Sequence, residues 1–75
     1  MSIRKYLMEE QFKMIILSNK IDVINYLDVE LFDEEKVVIR HGSGSIVLNG
    51  KDLIISKLLD KELMINGDIE RIEFR

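Results

Sequence analysis

From Phe12 onward, short apolar clusters rich in Ile, Val and Leu alternate with polar breaks at Ser18-Asn19, Asp33-Glu34-Glu35, His41-Gly42-Ser43-Gly44, Asn49-Gly50, Leu59-Asp60 and Asn66-Gly67. A helix needs about ten or more residues at a period near 3.6, and these clusters are too short and too β-branched for that. Even spacing of short strands and turns instead predicts an all-β domain, a small antiparallel sandwich or partly open barrel of about seven or eight strands.

Two dipeptides suggest hairpins. Asn49-Gly50 favours a two-residue turn in which both central residues take positive φ. That turn sets Ile46 opposite Leu53 and Val47 opposite Asp52, so Ile46, Leu48, Leu53 and Ile55 line one face and Ser45, Val47, Asp52 and Ile54 the other. At Asn66-Gly67 a three-residue loop with Gly67 in the left-handed region pairs Ile65 with Ile69. Ile69 and the pair Ile72 and Phe74 have opposite parity, which predicts a β-bulge near Glu70-Arg71 that brings all three inward.

Val37 and Ile39 face inward around Val38. Phe12, Met14 and Ile16 alternate with Lys13, Ile15 and Leu17, making the first strand apolar on both sides, and Leu58 is expected to close one end of the core. With the inward positions assigned, Val38, Val47, Ile54 and Met64 remain on the outer face, where solvent-facing strands usually carry Thr, Lys or Glu. These four form the candidate interaction surface, because contiguous apolar area on a monomer commonly marks a binding site; the alternative is that the N-terminal segment folds back and covers them. Residues 1–11 read differently: Ser2 would cap a short helix with Ile3, Tyr6 and Leu7 on one face, or the segment is a frayed tail. The β domain is therefore assigned to residues 12–75.

Composition narrows the function. A chain of 75 residues holds one domain with a thin core. Pro and Cys are absent, which removes disulfides and thiolate zinc sites and fits a reducing cytoplasm. Apolar residues make up 47% of the chain, too many for disorder, and the net charge of −3 argues against a phosphate-binding surface. No apolar run reaches the ~18 residues of a membrane span, and the N-terminus lacks the apolar stretch of a secretory signal.

The residues that carry chemistry are few. His41 is the only histidine and is expected to be exposed in a loop; none of the serines lies in a nucleophile-elbow motif. The contiguous Asp33-Glu34-Glu35 lacks the spaced ligands and turn glycine of a calcium loop and reads as a solvated turn. Gly42-Ser43-Gly44 lacks the Gly-Lys-Ser/Thr ending of a phosphate-binding loop and reads as a strand connection. Tyr6, Phe12, Tyr26, Phe32 and Phe74 are scattered rather than set among basic residues, which disfavours nucleic-acid stacking. No catalytic, cofactor-binding or metal-binding residues are assigned.

The run Val37-Val38-Ile39-Arg40, then "IVLNGKDLIISKL" (residues 46–58) and "ELMINGDIERIEF" (residues 62–74), resembles the YabP/YqfC family of sporulation proteins, with two strand–Gly–strand units in the family's order and spacing. The resemblance covers roughly residues 12–74. It implies a compact β domain made on the mother-cell, cytoplasmic side of the developing spore and needed for coat or envelope assembly, with no catalytic residues to carry over. The family's recurring turn glycines and core aliphatics correspond here to Gly50, Gly67, Leu53, Ile55, Leu63, Ile65, Ile69 and Ile72. The expected function is a non-catalytic interaction or scaffold module that forms homo-oligomers and has protein partners, a sporulation membrane protein among the candidates. The alternative is a small β-barrel that binds nucleic acid or a small ligand.

Overall fold

The computed structural model describes residues 11–75, so the expected N-terminal helix lies outside the described residues. Six strands follow in order: β1 (Lys13–Ile16), β2 (Lys20–Ile24), β3 (Asp28–Phe32), β4 (Lys36–His41), β5 (Gly44–Leu58) and β6 (Glu62–Phe74). They form one open antiparallel sheet in the order β1-β2-β6-β5-β4-β3, and no helix occurs among the described residues. Among the described residues the expected seven or eight strands are therefore six, and one open sheet stands in place of the expected sandwich or partly open barrel.

The difference has a local cause. Asn49-Gly50 and Asn66-Gly67, both read as hairpin turns, lie inside β5 and β6 and do not reverse the chain. They meet across the long β5–β6 hairpin, where Asn49 pairs with Arg71, Gly50 with Ile69, Lys51 with Asp68 and Ile54 with Asn66. The conformational freedom of these dipeptides goes into a bend in both strands. Asp52 has φ +53° and Gly67 φ +138°, and a Cβ on Gly50 would overlap the Asp68 carbonyl oxygen. Amides released from the ladder at the bend find acceptors in the β3–β4 turn: Gly50 N donates to Glu35 O at 3.0 Å and Leu53 N to Glu34 O at 2.8 Å. That turn is held by Asp33, whose Oδ1 accepts from the amides of Glu35 and Lys36 at 2.8 and 2.7 Å. The acidic cluster is thus a structural turn docked on the bend.

The bend divides the sheet into two halves that share the hairpin. Residues 62–66 of β6 pair with β2, and residues 44–49 of β5 pair with β4. Nine fully buried side chains form one cluster: Ile21 and Val23 from β2, Leu63 and Ile65 from β6, Val37 and Ile39 from β4, and Ile46, Leu48 and Leu53 from β5. Strands β2 and β4 are not neighbours in the sheet, so the sheet must curl for their side chains to share this core. The bulge expected near Glu70-Arg71 is present as the register shift between Asn49 and Gly50, which leaves Glu70 unpaired and turns both Ile69 and Ile72 toward the core; Phe74, expected inward with them, is 72% exposed at the end of β6. Leu58 does not close the core; it is 60% exposed, beyond the third register shift of the hairpin, between Ile55 and Lys57.

Candidate interaction surface

Alternation along each strand determines which side chains leave the core. Val38 pairs with Leu31 and Val47, and Val47 with Glu73, so these residues form a row on the outer face of one half-sheet. Met64 pairs with Asp22 and Lys57, and Ile54 with Asn66, on the outer face of the other half. All four outer positions named from the sequence do point away from the core, but they lie on either side of the bend and do not make one patch.

Their exposure differs as well. Ile54 is 56% exposed, Val38 and Met64 are half-buried, and Val47 is only 1% exposed. Val47 lies in a groove lined by Lys36, Asn49, Glu70, Arg71 and Glu73. Long charged side chains of this kind lay their stems over apolar neighbours while their heads stay in water. Val47 therefore contributes to folding and offers no surface to a partner.

The exposed apolar area lies elsewhere. Ile15, Ile16 and Leu17 are exposed at the β1 edge, and Leu31 and Phe32 at the β3 edge. Ile54, Leu58 and Leu59 are exposed where β5 has only β6 as a strand neighbour. Sequence reasoning counted Leu58 as core and left β1 apolar on both sides, because alternation does not say which strands end up at an edge.

One end of the molecule holds a half-open cleft of about 550 Å³ lined by residues that include Phe12, Asn25, Tyr26, His41, Ser43 and Lys61. His41, expected to be simply exposed, is half-buried; its ring stacks on Phe12 with centroids 4.3 Å apart, and its Nδ1 accepts from Ser43 N at 3.2 Å. The Tyr26 hydroxyl donates to Leu59 O at 2.6 Å, and Asn25 Nδ2 donates to Gln11 O at 2.7 Å. Burial, followed by the charges of Asp60 and Asp28, raises the Tyr26 phenol above its ordinary value. These contacts tie together the start of β1, the β2–β3 corner and the hairpin ends.

The strongest electrostatic feature lies on the outer face of β2. Asp22 Oδ1 is buried without a hydrogen-bond partner among the described residues. Burial, together with a hydrogen bond to Glu62 and the charge of that residue, raises the Asp22 carboxyl above its usual range; Lys57 and Lys20 oppose the shift. Lys57 Nζ lies 3.4 Å from Glu62 Oε1. Two carboxyls among two lysines do not make a metal centre, and no group of three or more His, Cys, Asp or Glu side chains arranged to hold a metal occurs among the described residues. No described helix is long and apolar enough to cross a membrane.

Fold and surface together define a class: a small, open, bent β-sheet domain whose exposed apolar side chains gather at strand edges. The chain belongs to the YabP family, whose model matches residues 9–75. Family membership associates it with sporulation. Neither the curated proteins nor the solved structures contain a match.

Proposed function

We propose that the chain is a non-catalytic protein–protein interaction module that acts as a scaffold in assembly of the spore coat or envelope. The observation that carries this reading is that large apolar side chains stay exposed along unpaired strand edges: Ile54, Leu58 and Leu59 at one margin and Ile15, Ile16 and Leu17 at another. Apolar side chains grouped at the surface of so small a domain favour association, because burying them removes area from water at roughly 25 cal/mol per Å². Family membership supplies the link to sporulation, and we place the chain on the mother-cell, cytoplasmic side of the developing spore as part of this proposal.

The test is genetic. In a sporulating host, removal of the gene should reduce heat-resistant spores, and the wild-type chain should restore them. Ile54→Lys with Leu58→Lys should leave the domain folded yet fail to restore the spores. Normal heat resistance in the deletion strain, or full rescue by the double variant, would remove the assembly role.

A second reading, small-ligand binding, is favoured only by the cleft of about 550 Å³, a volume within the range of ligand pockets. Several of its polar lining groups are already engaged, Asn25 with Gln11 O, Tyr26 with Leu59 O and His41 with Ser43 N, which supports the interaction reading over it.

A further inference from the structure

Four stretches of strand lack a second strand neighbour among the described residues: β1, β3, residues 54–58 of β5 and residues 68–74 of β6. Native sheets block such edges with charges and bulges. The β6 stretch carries Asp68, Glu70, Arg71 and Glu73 with a bulge at Glu70, and the β5 stretch is broken by the register shift before Lys57. The β1 stretch is different. It pairs with β2 in unbroken register and presents Met14, Ile15 and Ile16 in succession, with Lys13 its only charge. At the opposite end of the sheet, β3 is acidic, with Asp28 and Glu30 in the strand and Asp33 just after it. Beyond its bulge, Leu31 and Phe32 pair regularly with β4 and are each 43% exposed.

These two edges complement each other. Six strands of alternating direction leave β1 and β3 running oppositely, so a second copy placed beside the first continues the antiparallel alternation. A register that sets Lys13 opposite Asp33, Met14 opposite Phe32 and Ile15 opposite Leu31 also matches the faces. Met14 and Phe32 lie on the core side, as their partners Val23 and Val37 do, while Ile15 and Leu31 share the outer side with Asp22 and Val38. Like edges match less well: β3 against β3 brings Asp28, Glu30 and Asp33 near their own copies, and β1 against β1 offers Lys13 no acid.

We propose that copies of this chain join head to tail, with β1 of one pairing antiparallel with β3 of the next, so that the sheet continues from copy to copy. A heterologous contact of this kind does not close on itself and generates an open series. It rests on the assembly reading only in taking association as the chain's business, and its test uses purified full-length chain, so that it fails or stands separately from the spore phenotype.

The experiment uses Ile15→Glu, which sets an acid against the acidic edge, and Leu31→Glu, which blocks the other edge. Both positions are over 40% exposed. Circular dichroism checks each fold, and Thr replaces Glu at either position where Glu unfolds the domain. In sedimentation velocity the wild type should form a concentration-dependent series. Each variant alone should be monomeric, and an equimolar mixture should stop at the dimer, because one intact β1 then meets one intact β3. A wild type that stays monomeric, a single variant that dimerises alone, or a mixture no heavier than its components would each overturn the proposal.

Discussion

At the scale of single residues, glycines and one carboxyl carry the information. A Cβ on Gly67 would lie 2.7 Å from the Asp52 carbonyl oxygen at a φ of +138°, whereas one on Gly42 meets nothing within 4 Å. Gly67→Val should therefore cost roughly 1–3 kcal/mol, with Gly42→Val close to neutral. Gly50→Ala should also be clearly destabilising, since its Cβ would run into strand backbone, which cannot swing aside as a side chain can. Denaturant midpoints of the three variants check this; equal midpoints would mean that the bend does not need its glycines. Asp22 makes the opposite kind of prediction. Its folded-state proton affinity is raised, so the folded state binds more protons than the unfolded chain between the ordinary carboxylate value of 3.8 and the raised one. Across that window Asp22's contribution should favour folding increasingly as pH falls and weaken it as pH rises. Asp22→Asn should raise stability at neutral pH and flatten this part of the profile, as followed by thermal melts between pH 4 and 8 at about one-unit steps.

At the scale of elements, side-chain parity was legible and strand continuity was not. The hairpin reading at Asn49-Gly50 put Ile46, Leu48, Leu53 and Ile55 on one face, and these four do reach or border the core. The parity switch between residues 48 and 53 comes, however, from the bend through Asp52 and not from a chain reversal. An Asn-Gly pair offers positive φ, and either a turn or a bend can use it; the choice depends on whether another element supplies acceptors for the freed amides. Here Glu34 and Glu35 supply them from a turn some fifteen residues upstream, beyond the reach of local pattern. The bulge at Glu70 was readable because parity within one strand demanded it. The candidate surface was readable in direction only: Val38, Val47, Ile54 and Met64 all point outward, but Val47 is buried while Ile54 stays open. Truncation separates the two roles. Val47→Ala should cost about 2 kcal/mol, from two buried methyl groups and the cavity they leave. Ile54→Ala, although it removes more atoms, should cost within roughly 0.5–1 kcal/mol. Thermal melts that ranked them the other way would reassign Ile54 to the core.

At the scale of the whole molecule, the sheet is firmest at its centre and loosest at its margins. Strands β5 and β6 are 15 and 13 residues long, hold five of the nine core side chains and are each flanked on both sides over part of their length. Strand β1 carries no fully buried side chain and, among the described residues, has β2 as its one strand neighbour; β3 likewise carries none and has β4 as its one strand neighbour. Local opening costs least where few apolar groups are buried, so amide hydrogens of β1 and β3 should exchange first and those of Ile46, Leu48, Leu63 and Ile65 last. The two margins are also the surfaces through which one copy would meet the next. Hydrogen exchange at rising protein concentration therefore reports on both properties together. In dilute protein both edges should exchange rapidly, and on association β1 and β3 should gain protection in parallel while the centre stays as slow as before. In the Ile15→Glu variant neither edge should gain protection, because the only free β1 is blocked and every β3 is left without a partner. Protection that rose at β1 alone would indicate like-to-like pairing, and protection that never rose at either edge would leave the sheet ending where one chain ends.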